Sequence, residues 1–487
     1  MSLQRSLLGR FSSLESDVPQ DDLEIEAPEE GVDETGAQLD GENIVEGDLV
    51  EAAEDEAEVD QAEDEAEELE DTSDSLESFL LAAQLGRAKG GWSNDEALAY
   101  GIGLDATLKR VGGSSSDVMP SLESFDGQRQ RLESTISVEN KIKDAIMSIW
   151  EAIKRAVNKV VAFVRKWYVK IFDGASRLKK RAEAIRKKAE NTTGSAKENK
   201  IATSTLSMLH KSKSMPSAKD LTDTINAITE ATKTLTSGRL ESGYGDVVDA
   251  VVKTLTDVAE GDGKLSMTDA STAVGSITTA KIFQIDLAIA KNKGSADDLA
   301  KVSMTASSQN NIAQLYQSTE LPGGKKLVHL NLGSQKGGLD NGAYGRNVAS
   351  ALRLANKVQV IDYENKKVEL DSSKQVAILT PSEVIAVADA TIDFCSAVVD
   401  YKLGFDKYEK KNSAALGKVD GVLRKANNKE DDQDGRQRGE FVRGLAQGLG
   451  SLIRNRGTSV TAVIGYGMAL CRNSLVFGVQ SLAQYKD

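Results

Sequence analysis

From Val138 onward, apolar residues fall at Val138, Ile142, Ile146, Ile149, Ile153, Val157, Val160, Val164, Trp167 and Ile171, at spacings of three and four. This is one face of an α-helix, and its period of about 3.67 predicts a near-straight helix in place of a strict heptad coil. Ser137 is placed to cap its start. Met147, Trp150, Phe163, Tyr168 and Phe172 widen the apolar face, lysines and arginines fill the rest, and the pattern continues past Gly174 as "SRLKKRAEAIRKKAE".

Downstream, residues 195–320 read as Ala/Thr/Ser-rich helices separated by turns, with Ser217 or Asp220 as a helix cap before "LTDTINAITEATKTL". The strongest alternation follows in residues 321–371. "GGKKLVHLNLG" sets Leu327, His329 and Asn331 against Val328, Leu330 and Leu332, and "KVQVIDYENKKVEL" predicts two strands joined at Glu364 and Asn365. Helices resume over residues 372–487, where Thr380, Pro381 and Glu383 form a capping box with proline in the first turn, and "NNKEDDQDGRQRG" is an exposed linker. Few aromatics and prolines agree with a mainly α fold carrying a small β-sheet.

Upstream the pattern fails. Residues 1–77 hold almost no apolar period, and the centre, "EAAEDEAEVDQAEDEAEELEDTSD", is low in complexity and acidic. Such a leader repels itself and has little apolar surface to offset its ordering entropy, so it is expected to be disordered, or at most a frayed helix on the Ala/Glu run. Residues 78–123 predict two short helices around Gly90 and Gly91, then a Gly/Ser linker, "GGSSSDVMPSLES". Residues 124–194 are the long basic amphipathic helices.

Charge sharpens this division. The chain of 487 residues has a net charge of −15, but residues 1–123 carry 6 basic and 34 acidic groups, a net of −28, while the remainder carries 54 basic and 41 acidic, a net of +13. An acidic leader is joined to a basic body. The basic face offers Lys154, Arg155, Lys159, Arg165, Lys166, Arg177, Lys179, Lys180, Arg181, Arg186, Lys187 and Lys188 as candidate phosphate contacts. No recognition-helix signature accompanies them, so DNA binding would be phosphate-driven and independent of sequence. The same amphipathic face would also suit bundle packing or an anionic membrane surface.

Catalytic patterns are thin. "LPGGKKL" lacks the spacing and the Ser/Thr of a phosphate loop, and "GSQKGGLDNGAYGR" lacks the dinucleotide pattern. Glu260, Asp262 and Asp269 in "EGDGKLSMTD" miss the alternation of a calcium loop. His329 is expected as a strand residue, His210 as a solvated one on a basic face, and Cys395 and Cys471 as small core residues in a reducing compartment. No catalytic, metal or cofactor site is assigned, no enzyme is expected, no signal peptide is expected at the start, and "VTAVIGYGMALC" is too short to span a bilayer.

Leu-Glu-Ser occurs five times, around Glu15, Glu77, Glu123, Glu133 and Glu241, without a shared apolar period in the flanks. Three copies have the form Ser-Leu-Glu, and they lie in the acidic leader or at its border. Ser-x-Glu, cut after the glutamate, resembles the processing site of the prohead protease of phiKZ-like giant tailed phages. The acidic leader before a helical body is likewise similar to the plan of their internal head (inner body) proteins, most closely over residues 1–190. The resemblance implies a structural protein of the capsid interior, made in the host cytoplasm. It implies an N-terminal propeptide removed after Glu123, Glu77 and Glu15, and a basic mature part packaged beside phage DNA. Glu133 and Glu241 depart from the site, having Arg131 and Arg239 where a small residue is expected. Implied partners are the protease, other capsid or inner-body proteins and, non-specifically, phage DNA. The alternatives are an ejected or membrane-active protein using residues 138–172, or an enzyme carried in the head.

Overall fold

The apolar period that begins at Val138 belongs to a single helix, Gln128–Asn191, in the computed structural model of the chain. The structure describes residues 46–260, 285–302, 313–332, 351–364, 374–427 and 433–485. In chain order the helices longer than a single turn are α1 (Glu46–Ala88), α2 (Asn94–Arg110), α3 (Gln128–Asn191), α4 (Ala218–Leu235), α5 (Gly238–Glu260), α6 (Ala296–Val302), α7 (Pro381–Asp400), α8 (Lys402–Asn427) and α9 (Gln433–Leu482), with one further turn at Leu206–Leu209. The strands are β1 (Lys200–Ala202), β2 (Asn292–Lys293), β3 (Ala313–Gln317), β4 (Lys325–Leu332), β5 (Val358–Asp362) and β6 (Gln375–Ala377).

All ten residues of the α3 stripe are buried. Gly127 is the N-cap, so Ser137 lies inside the helix and caps nothing. The preceding "QRQRLES" is rich in helix formers and gains an Arg129–Glu133 pair one turn apart, which carries the helix further upstream. α9 runs through the centre of the core and packs against α1, α3, α4, α5, α7, α8 and β5. Over Arg438–Leu482 it is long and apolar enough to cross a membrane by length and composition alone, yet here it is the central helix of a bundle, with Arg443, Arg454 and Arg456 buried along it.

Capping follows the sequence closely. Ser217 with Asp220 and Thr380 with Glu383 form reciprocal boxes, the second with Pro381 in the first turn. β2, β3, β4 and β5 make one antiparallel sheet in that order, with Tyr316 opposite His329 and Lys325 opposite Asp362. The Pro322–Gly324 segment turns the chain from β3 into β4, with Gly323 and Gly324 at positive φ. β1 pairs with β6 in a separate two-stranded ribbon. Thus β1, β2 and β3 fall within residues 195–320, which the Ala/Thr/Ser composition marked as helical. The second strand expected after Glu364 lies outside the described residues.

The larger departure is the leader. Residues 1–45 lie outside the described residues, but from Glu46 the run expected as coil or frayed helix is α1, and no boundary falls at Glu77, because the helix continues to Ala88. Ala66, Leu69, Leu76, Leu80 and Ala83 form a buried stripe, and α1 packs mainly on α3. The corner after α1 needs glycine: Gly91 has φ +102°, and a Cβ there would meet the backbone of Arg131 at 2.4 Å. This close approach lets Trp92 N–H donate to Thr135 Oγ1 at 3.0 Å, which fixes the α1–α2 corner on the first turns of α3. The two helices expected around Gly90 and Gly91 are therefore present, the first much longer than the pattern suggested.

Candidate processing site and charged interfaces

The Leu-Glu-Ser copies occupy unlike places. Glu123 stands on a single exposed 3-10 turn, Leu122–Phe125, after Ser121 in extended geometry. Leu122 is 41% exposed, whereas Phe125, two residues after Glu123, is fully buried and anchors the turn. Ser134 donates its hydroxyl to the Ser124 carbonyl at 2.8 Å, and Arg131 Nε reaches the Phe125 carbonyl at 2.7 Å. The backbone around Glu123 is thus held by one aromatic anchor and a few local bonds. Glu133 is exposed on α3, and Glu241, in the first turn of α5, accepts from Arg456 and Tyr401. Glu15 lies outside the described residues.

Glu77 is the opposite case. It sits within α1 with its carboxylate buried against Arg443, whose Nε and Nη2 donate to its two oxygens, the latter at 3.0 Å. It ends a row. On α1, Glu67, Glu70, Asp74 and Glu77 are spaced three, four and three apart and so share one face. Across from them on α9 stand Arg443, Gln447, Ser451 and Arg454, spaced four, four and three apart. The rows run antiparallel. Arg353, just before β5, places Nη1 and Nη2 at 2.6 and 3.2 Å from the two oxygens of Asp74. Arg454 Nη1 meets Glu70 at 3.1 Å, Ser451 donates to the same oxygen at 2.9 Å, and Lys357 Nζ meets Glu67 at 2.7 Å.

These cations are deep: the side chains of Arg353, Lys357, Arg443 and Arg454 are 7%, 5%, 4% and 1% exposed. Burial pushes the Glu67 carboxyl up, but Lys357 and Arg454 outweigh it and hold the group below the ordinary 4.5. Asp71, an exposed residue, is raised above its ordinary value by partial desolvation, and the neighbouring carboxylates of Asp74, Glu70 and Glu67 add to the rise against Arg353. Spacing within the leader could have suggested this face; the partners, some 280 to 380 residues away in sequence, could not be found from it.

The candidate phosphate contacts divide. Lys154 is tied to Glu151 and Asp420 at 2.8 and 3.2 Å, Arg155 donates to the Glu151 carbonyl, and Lys159 lies 5.4 Å from the Phe163 ring centre. Arg186 bridges Asp389 and Glu190, both at 2.7 Å. Arg165 and Lys179 are half-buried, as is Arg181, whose guanidinium is pulled down by burial and by Arg472 beside it. Lys166, Arg177, Lys180, Lys187 and Lys188 are exposed, and their spacing puts them on one side of α3 over about 33 Å. The apolar face of residues 138–172, which a membrane-active role would need, is inside the core.

His329 is a β4 residue stacked on Tyr316, ring centres 5.3 Å apart, and burial holds its imidazole down to about 4. His210, expected in solvent, is buried instead, since the glycine turn folds over it: a Cβ on Gly324 would lie 2.7 Å from its ring. Cys395 and Cys471 are buried free thiols, Cys395 pushed up to about 12 by burial. Among the described residues no three His, Cys, Asp or Glu side chains converge as a metal site. The loops at Asp262 and Asp269 and at 333–346 lie outside the described residues. No curated protein and no solved structure matches the chain. Residues 29–475, however, match the phiKZ-like phage internal head proteins across nearly the whole length. With its acidic leader, helical body and small sheet, the chain belongs to that family of structural proteins held inside the phage head.

Proposed function

We propose that the chain is made as a precursor in the host cytoplasm, that the prohead protease removes its leader after Glu123, and that the basic body remains in the capsid beside the DNA and other inner-body proteins. The observation that carries this reading is the contrast between two Ser-Leu-Glu sites. Glu123 is exposed on one short turn at the point where the charge changes sign, whereas Glu77 is buried in a continuous helix and clamped by Arg443. A protease binds an extended strand, so the first site needs only local opening and the second needs α1 to unfold. Glu123 is therefore cut first, and Glu77 and Glu15 are cut in the leader once it is loose. Glu133, within the first turns of α3 and with Arg131 two residues before it, stays whole.

The exposed cations of α3 suit a non-specific phosphate surface, and the protein's role is structural. Burial of the 138–172 apolar face disfavours the membrane-active alternative. The test is mass spectrometry of the protein from mature particles. An N-terminus at Ser124 is expected; an intact chain containing α1 would overturn the processing.

A further inference from the structure

The groups opposite α1 form a second row of cations, separate from the exposed one on α3. Arg443, Arg353, Arg454 and Lys357 follow one another along α1, each facing a carboxylate at 3.1 Å or less, and those carboxylates span ten residues, about 15 Å of helix. A single strand of duplex DNA places one negative charge per about 3.4 Å of axis, and α1 presents one per about 5 Å, about two thirds of that density. Two of the four cations hold their carboxylates with both arms of a guanidinium fork, at Arg443–Glu77 and Arg353–Asp74, the geometry that also grips phosphate oxygens. Ser451 and Gln447 add neutral donors between the charges, to Glu70 and Ser73.

Departure of α1 would leave four nearly buried cations without these anions, which is costly until other anions arrive. We propose that α1 occupies, within the same chain, a binding site for the phosphodiester backbone of DNA, lined by Arg353, Lys357, Arg443 and Arg454, and that the site opens when the leader leaves. The site rests on the reading that the leader is excised, and it adds a second place of contact with DNA. The acidic helix acts as a stand-in for phosphate until processing, so the precursor cannot take DNA there.

The experiment compares the full chain with a full chain carrying Glu70→Gln, Asp74→Asn and Glu77→Gln, titrated against a fluorescent mixed-sequence DNA duplex across a salt series. The substituted chain should bind more tightly, with a salt slope steeper by about three, since Arg443, Arg353 and Arg454 are released while Lys357 keeps Glu67, and each phosphate contact contributes about 0.9. Adding Arg443→Gln and Arg454→Gln should remove about two of that increase. Unchanged affinity, or a gain that survives the arginine substitutions, overturns the proposal.

If the substituted chain does not fold, the unsubstituted chain is cut at a specific protease sequence inserted between Glu123 and Ser124, and an arginine-modifying dicarbonyl is mapped by mass spectrometry. Arg443 and Arg454 should be protected before cutting, reactive after removal of the leader, and protected again by duplex. Arginines that stay unreactive, or that duplex leaves reactive, overturn the site. An intact leader in particles would defeat the processing reading while these binding results stood. DNA binding lost entirely on substituting the α3 lysines would defeat this site while the processing reading stood.

Discussion

The middle of α1 and the last half of α3 are each dense in one sign of charge, yet they use it in opposite ways. α1 turns Glu70 and Glu77 inward and lays the half-exposed Glu67 and Asp74 along the rim, all four against cations of the body, whereas α3 leaves Lys166, Arg177, Lys180, Lys187 and Lys188 at the surface. A charge run therefore does not by itself mean a solvated face. Its placement is decided by whether the rest of the fold supplies opposite charges in matching register, and for α1 it does.

The largest expected effect follows from the buried row. Arg443→Ala leaves Glu77 buried without its clamp, a loss of about 3–5 kcal/mol, and Glu77→Ala should cost a similar amount. Replacing both by methionine should recover most of it, because a buried pair contributes little against well-packed apolar groups. Denaturant midpoints with an unchanged slope would measure this. Single-residue losses near zero would mean that α1 is held only by its apolar stripe, and the contrast with α3 would fail.

Next comes the turn that separates the two helices. Phe125→Ala removes a fully buried anchor, worth about 3–5 kcal/mol in a core, and much of that loss should appear as easier opening of the Leu122–Phe125 turn. Cleavage after Glu123 by a glutamate-specific protease should then rise more than tenfold, followed by mass spectrometry, while cleavage after Glu77 stays slow. Equal rates at the two sites would show that α1 gives Glu77 no shelter.

Acid separates the leader from the sheet. His329 is held neutral, its imidazole at about 4 against an ordinary 6.5, so the unfolded chain takes up the proton first. Stability from this group is full above 6.5, falls as pH drops below it, and the loss levels off below about 4, at about 3 kcal/mol in all. Glu67 has a lowered folded value, so its contribution is present above 4.5 and is lost as pH falls through that lower value. His329→Gln should flatten the upper window in a pH series of thermal melts and leave the lower one. Loss of both windows together would mean that the sheet and the leader unfold as one unit.

How far the sequence exposed this molecule depends on where each partner lies. The α3 stripe, the caps at Ser217 and Thr380, and the alternation of β4 are local, and a period or a three-residue spacing carries them. The stripe of α1 was also local but weak, because Ala66 and Ala83 bury little area and Glu70 and Ser73 interrupt it. β3, "AQLYQ", has too little alternation to stand out and is a strand because β4 pairs along its whole length. The buried cation row was illegible: Arg353 and Arg454 look like surface residues until α1 lies against them. His210 looks solvated in the sequence for the same reason, since the turn that covers it is more than a hundred residues away.

The smallest structural effect is expected on the open side of the comparison. Lys187 and Lys188 are exposed near the end of α3, so alanine at either should leave the melting temperature unchanged. Their contribution is to the field outside the molecule. If this side of α3 follows a DNA backbone, each substitution should weaken duplex binding about equally for all sequences and lower the salt slope by about one. Anisotropy titrations of the two variants and the parent over a salt series would measure it. A slope that does not move would leave the buried row under α1 as the body's DNA contact, and a melting temperature that falls would mean that α3, like α1, keeps its charges for the fold.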